Sequence, residues 1–189
     1  MRNSLKHIVL LVLICISCNT KHNNIIIDAS SPDLKLDNGI LYYNDALFTG
    51  NLITHYENKL FKSDIEYKNG RKHGHEKHWN TKADLIIERH YLKGKKSGIH
   101  KGWWDNGNLR FEYHFNNKGE YHVSVKEWYE SNMLFKAFNY ENGKEVGSQK
   151  LWKSDGSIKA NYEVVNGERF GLIGLKKCYQ VTVGDIEVK

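Results

Sequence analysis

The chain has 189 residues, of which 28 are Lys or Arg and 22 Asp or Glu, for a formal charge of +6. Residues 1–17 hold two basic and no acidic residues, so their removal would leave +4 on the rest. So mild an excess does not signal a nucleic-acid binder, whose affinity rests on neutralising many phosphates.

The chain begins "MRNSLKHIVLLVLICISCNT", with Arg2 and Lys6 ahead of an apolar stretch over residues 8–17. A membrane-spanning helix needs about 20 apolar residues, and this shorter stretch behind a basic segment fits a secretory signal. Ile16-Ser17-Cys18 resembles the lipobox of bacterial lipoproteins, with Cys15 standing where that family usually carries an aliphatic residue. The resemblance implies cleavage after Ser17 and lipidation of Cys18. It also implies a protein of the cell envelope, anchored in a membrane and facing the periplasm or the exterior, since more than one acyl chain gives stable attachment. Residues 18–38 are mostly polar and hold the single proline, Pro32. They are expected to form a tether. With Cys18 lipidated, Cys178 has no partner in its own chain, so no internal disulfide is expected.

Residues 39–171 repeat. An anchor glycine stands at Gly50, Gly74, Gly98, Gly147 and Gly171, with Val123 in its place once, at spacings of 24, 24, 25, 24 and 24. Five residues after each anchor come His55, Trp79, Trp103, Trp128 and Trp152; the sixth unit has Lys176 there, and residues 172–189 read as a C-terminal cap. Each unit carries two strand signals. The first runs from the anchor to the aromatic, and the second alternates apolar and polar residues with period two, as in Leu109, Phe111, Tyr113 and Phe115. Asn106-Gly107, Asp155-Gly156 and Ser131-Asn132 read as two-residue hairpin loops. Gly70, Gly94, Gly119, Gly143 and Gly167 turn the chain into the next hairpin.

"YENGKEVGSQKLWKSDGSIKANY", "YKNGRKHGHEKHW" and "LYYNDALFTGNL" resemble the bacterial MORN-type repeats of about 24 residues, over about residues 39–171. The resemblance implies an all-β fold, an elongated antiparallel β-meander with one hairpin per unit. Bacterial members of that family often carry an antitoxin label.

A two-residue loop at Asn106-Gly107 places Trp103 opposite Arg110 and Lys101 opposite Glu112, with Trp104, Leu109, Phe111 and Tyr113 on the other face. The same rule sets Trp79 opposite Ile86, Trp128 opposite Phe135 and Trp152 opposite Lys159. One face is then an apolar side. The other carries the row Trp79, Ile86, Trp103, Arg110, Trp128, Phe135, Trp152 and Lys159. Beside it run Lys77, Lys101, Lys126 and Lys150, with Glu88 and Glu112 opposite the first two. Successive tryptophans are about 9.6 Å apart at ~4.8 Å per strand and cannot stack directly. The row has two readings. It knits the sheet through cross-strand pairs, or it forms a strip for a partner protein, peptide or glycan. The candidate partner-binding residues are Trp79, Trp103, Arg110, Trp128, Trp152, Lys101, Lys126 and Lys150.

"HGHEKH", residues 73–78, is the one histidine cluster. His73 and His75 share a face and His90 falls opposite His75, which is fewer converging ligands than zinc needs. No metal, cofactor or catalytic residue is expected, and past the expected cleavage site no G-x-S-x-G, P-loop, H-E-x-x-H or C-x-x-C is present. The sequence therefore points to a non-catalytic, lipid-anchored repeat scaffold that binds a protein at the cell envelope. The alternative is an antitoxin or immunity-type protein that binds a cognate toxin.

Overall fold

The computed structural model describes residues 25–174; Cys18, Lys176 and Cys178 lie outside them, and with them the signal, the lipidation site and most of the expected cap. The described residues form strands joined by turns, without a helix. In chain order these are β1 (Ile25–Asp28), β2 (Leu34–Asp37), β3 (Ile40–Tyr43), β4 (Ala46–Leu47), β5 (Gly50–His55), β6 (Phe61–Lys68), β7 (Arg71–Trp79) and β8 (Leu85–Leu92). They continue with β9 (Lys95–Trp103), β10 (Leu109–Phe115), β11 (Tyr121–Trp128), β12 (Leu134–Glu141), β13 (Lys144–Trp152), β14 (Ile158–Val165) and β15 (Glu168–Leu172). From β5 to β15 each strand pairs antiparallel with the next. β1 adds in parallel to β5, which makes a sheet of 12 strands, while β2, β3 and β4 form a separate sheet of three. The fold is all-β, a meander of hairpins, as the period-two pattern predicts.

The tether expected over residues 18–38 is corrected for its described part. Ile25–Ile27 is an apolar, β-branched run suited to a strand, and Ile25 pairs with Gly50 and Ile27 with Leu52. Gly50 is required there, because a Cβ would collide with the Ile25 carbonyl. The Asp28 carboxylate then meets His55 Nδ1 at 2.8 Å, clipping this strand to the array. The array also starts later than residue 39. β3 and β4 belong to the small sheet, where Leu41 and Phe48 are buried with Tyr67 and cover the first hairpin's apolar side.

The two ends of each hairpin turn differently. Asn69-Gly70, Lys93-Gly94, Asn142-Gly143 and Asn166-Gly167 are two-residue turns with both φ angles positive, the geometry that matches strand twist. The turn at Asn116–Gly119 is one residue longer, and only Gly119 has positive φ. That insertion accounts for the single spacing of 25.

The anchor position is a bulge. Pairing passes from Ile65 opposite Glu76 to Tyr67 opposite Lys72, so the segment around Gly74 carries extra residues against Glu66. Matching shifts occur at Gly98, Val123 and Gly147. The anchors take φ values of 87°, 64°, 72° and 62° in that order. Glycine adopts these freely, whereas a β-branched Val123 in this region is strained. Bulges bend a strand and raise its twist, so one in every second strand curls the sheet towards one face. On that face a second core forms from Val125, Phe138, Ala160, Tyr162 and Val164.

Candidate functional site

The tryptophan row is set by the loop that follows each tryptophan. Gly107 N donates to Trp104 O at 2.9 Å and Trp104 N to Asn108 O at 2.8 Å, so the loop is Asp105-Asn106-Gly107, with positive φ at Gly107 alone. This is a three-residue hairpin loop, in contrast to the two-residue loop expected. The Asn106 side chain stabilises it: Oδ1 accepts from Asn108 N and Nδ2 donates to the Glu130 carbonyl, both at 2.9 Å. Lys153–Ser157 and Tyr129–Met133 close in the same way.

The extra loop residue shifts the register. Trp103 faces Leu109 instead of Arg110, Trp128 faces Leu134 instead of Phe135, Trp152 faces Ile158 instead of Lys159, and Trp79 faces Leu85 instead of Ile86. Ile86, Arg110, Phe135 and Lys159 become unpaired bulge residues. Three of this class turn to the residue that follows the repeat aromatic: Lys62 lies 5.6 Å over Tyr56, Arg110 lies 5.5 Å over Trp104, and Phe135 meets Tyr129 edge-on at 5.3 Å. Arg110 therefore leaves the row in which the sequence placed it. Leu109 leaves the apolar side and joins Trp103. Each tryptophan of the row is half-buried against a cross-strand aliphatic side chain.

The lysine row stands as expected. Lys101 and Trp103 share a face by strand alternation. Lys101 is opposite Glu112 with Nζ 3.3 Å from the carboxylate, and Lys77 is opposite Glu88 at 3.4 Å. Further along, the acidic partners run out. Lys126 lies between Glu112 and Ala137, and Lys150 between Ala137 and Asn161. Among the described residues neither lysine has a carboxylate within salt-bridge distance.

Trp104, by contrast, joins repeats. Its Nε1 donates to the Trp128 carbonyl at 3.1 Å, as Tyr56 Oη does to Trp79 O at 2.8 Å and Tyr129 Oη to Trp152 O at 3.0 Å. The next-unit carbonyl is satisfied each time by the residue after the repeat aromatic.

Two residues past each anchor runs a buried column that the sequence did not reveal: Glu76, His100, Val125 and Gln149. No hydrophobicity scale flags Glu, His and Gln; the usable signal was their constant offset from the anchor. Burial pushes the Glu76 carboxyl up. Hydrogen bonds from His78 and Lys72 and the charges of Lys72 and Arg89 outweigh it and hold the group well below the usual carboxylate range. Burial pushes His100 down to about 4, and its Nε2 lies 2.8 Å from the His90 carbonyl. Gln149 Nε2 makes the corresponding bond to Asn139 O at 2.9 Å.

Two of the three histidines of residues 73–78 are tied to carboxylates, while His73 Nδ1 accepts from Lys93 N. His75 reaches Asp64 at 3.2 Å and Glu66 at 3.3 Å, and His78 reaches Glu76 at 2.7 Å. His75 does pair with His90 across the strands. Among the described residues no three ligating side chains converge on a metal position.

A groove of about 640 Å³ opens where β9–β10 meets β11–β12. Its walls are aromatic (Trp104, Phe111, Trp128, Tyr129, Phe135), with Arg89, Lys96, Arg110 and Glu127 among them. A second hollow of about 490 Å³ shares Trp104 and Arg110 and adds Trp103, Asp105 and Glu130. Arg110 and Trp128 of the predicted set thus line the groove, Trp103 lines the second hollow, and Trp79, Trp152, Lys101, Lys126 and Lys150 line neither. Neither a protein-family model nor a curated protein matches the chain.

Proposed function

We propose that the protein is a non-catalytic binding scaffold of the cell envelope, a repeat protein of the bacterial MORN type anchored through a lipid on Cys18. It holds a partner protein against the face that carries Trp79, Trp103, Trp128 and Trp152 with Lys101, Lys126 and Lys150. The observation that carries this reading is the thinning of acidic partners along the lysine row: beside half-buried tryptophans, Lys126 has Ala137 on one side and on the other Glu112, whose carboxylate is bonded to Lys101, and Lys150 has Ala137 and Asn161. Tryptophan is enriched in binding hot spots, and unpaired rim charges steer association with a partner of opposite sign. The partner surface is therefore acidic with an apolar centre.

The test is capture from detergent-solubilised envelopes by the full chain and by a Lys126→Glu, Lys150→Glu, Trp152→Ala variant. All three positions lie outside the groove and belong to neither core cluster. A protein retained by the parent and lost from the variant, with the thermal midpoint kept within a few degrees, supports the reading. Equal retention overturns it. If the protein captured is a secreted toxin, the scaffold is an immunity protein. Anchoring is tested separately: Cys18→Ser is expected to release the protein from membranes, and persistent membrane association contradicts lipidation there.

A further inference from the structure

We infer that the groove between β9–β10 and β11–β12 is a binding site for an acidic saccharide: it holds the carboxylate of a uronic-acid ring on Arg110 and stacks sugar faces on Trp104 and Tyr129. Of the protein-binding face proposed above, the groove touches Trp128 alone, while Trp79, Trp152, Lys101, Lys126 and Lys150 lie outside it.

The charges lining the groove do not cancel. Arg89 is met by Glu76 at 3.3 Å, and Glu127 by Lys136 at 3.4 Å. Arg110 has no carboxylate within 4 Å among the described residues. Its guanidinium lies 5.5 Å from the Trp104 ring and 5.4 Å from that of Phe111. Two ring faces hold the planar group in place without using its N–H donors. A guanidinium so placed is matched by a carboxylate, which takes two of those donors side by side. Lys96, 5.2 Å from the Phe115 ring, adds a second positive charge to the same groove.

The aromatic walls are fixed before any ligand arrives. Trp104 is held through its Nε1 bond to Trp128 O, and Tyr129 through its Oη bond to Trp152 O. Rings already ordered by the fold lose little entropy on binding. Their exposed faces suit a flat, partly apolar ring.

A saccharide fits better than an acidic peptide for a topological reason. β9, β10, β11 and β12 are each hydrogen-bonded on both sides, so the groove offers no free strand edge for a peptide backbone to join. A sugar needs none. The second hollow, which shares Trp104 and Arg110, provides Asp105 and Glu130 carboxylates to accept from ring hydroxyls. The volumes, about 640 and 490 Å³, fall within the range of about 300–1,000 Å³ usual for small-ligand sites. Two adjoining hollows suit an oligosaccharide with a carboxylated ring in the first.

The experiment titrates the full chain with tri-galacturonate and with a hyaluronan tetrasaccharide, followed by tryptophan fluorescence and calorimetry. The methyl esters of both and a hexaglutamate peptide are run beside them. Saturable binding of at least one acidic saccharide is expected, weakened about tenfold or more by esterification and by Arg110→Gln. Arg110→Lys should fall between, because it keeps the charge and loses the fork. Trp152→Ala should leave binding unchanged, which separates this site from the protein-binding face. A thermal melt of each variant shows that it is folded. The inference is overturned if neither saccharide binds, if ester and acid bind alike, if Arg110→Gln binds like the parent, or if hexaglutamate binds more tightly than both saccharides.

Discussion

The second hairpin and the fourth fill the same place in opposite ways. At Glu76 the buried side chain is an anion, and the facing strand brings Arg89 to it while Lys72 and His78 close from the same strand. At Val125, two units along, the side chain is apolar and the residue that corresponds to Arg89 is Phe138, part of a cluster with Ala160 and Tyr162. The backbone is the same in both places. A bulge with positive φ two residues earlier, at Gly74 in one and Val123 in the other, buries whatever follows. Geometry therefore sets the burial, and local partners decide which side chain can bear it. An ion network costs desolvation that an apolar cluster does not, so the early units should respond to charge and pH and the later ones to volume.

Exchanging the two solutions should give the largest effect. Val125→Glu puts a carboxylate among Phe138, Ala160 and Tyr162, where the cations against those rings, Lys136 and Arg169, are already paired with Glu127 and Glu145, and a loss of about 3–5 kcal/mol is expected in urea unfolding. The reverse change, Glu76→Val, should cost less than half as much. Lys72, Arg89 and His78 are each about one-third exposed and can turn to water once the anion is gone. If both substitutions cost the same, local partners are not what distinguishes the two regions.

Acid should separate the regions next. His100 is neutral in the fold, its side chain titrating near 4 in place of the usual 6.5. The unfolded chain therefore binds a proton that the folded chain refuses. Stability from this group is full above pH 6.5, falls as pH drops towards 4, and is lost below that, a change of about 3 kcal/mol. His100→Gln keeps the bond to the His90 carbonyl by analogy with Gln149 and should flatten that slope. Unfolding curves between pH 7 and 4 check it, and an unchanged slope would show that other groups govern the acid response.

The smallest effect expected is a gain. Val123→Gly relieves the strained φ of 72° and restores the residue found at the other anchors. Unfolding free energy should rise by about 1 kcal/mol, the strain relieved being partly offset by the entropy of glycine. A loss would mean that the valine side chain packs to more purpose than its exposed position suggests.

The repeat, the strands and the Lys101–Glu112 and Lys77–Glu88 pairs were legible in the sequence, because period two and a constant spacing are strong local signals. The loop type was not. Asn-Gly suits both a two-residue turn and the end of a three-residue loop. The choice fell to the Asn106 side chain, which bonds Asn108 and the next unit's Glu130 carbonyl. One residue of loop then moved Arg110 off the tryptophan row and onto Trp104, which is how the groove came to hold a guanidinium. The buried Glu76, His100 and Gln149 were hidden for another reason: their burial comes from the anchor bulge, and their polarity reads as surface. Residues 25–37 read as a tether because the apolar run in them is short, and its partner strand at Gly50–Ile53 is parallel and distant in sequence.

The central claim is that a partner protein meets the tryptophan and lysine face. The direct measurement places a photo-crosslinking amino acid in the full chain, in cells, at Lys126 or Lys150 on that face and at Lys96 in the groove. The account predicts one discrete protein adduct from each of the first two positions and none from Lys96. No adduct from either lysine of the row, or the same adduct from all three positions, would contradict it.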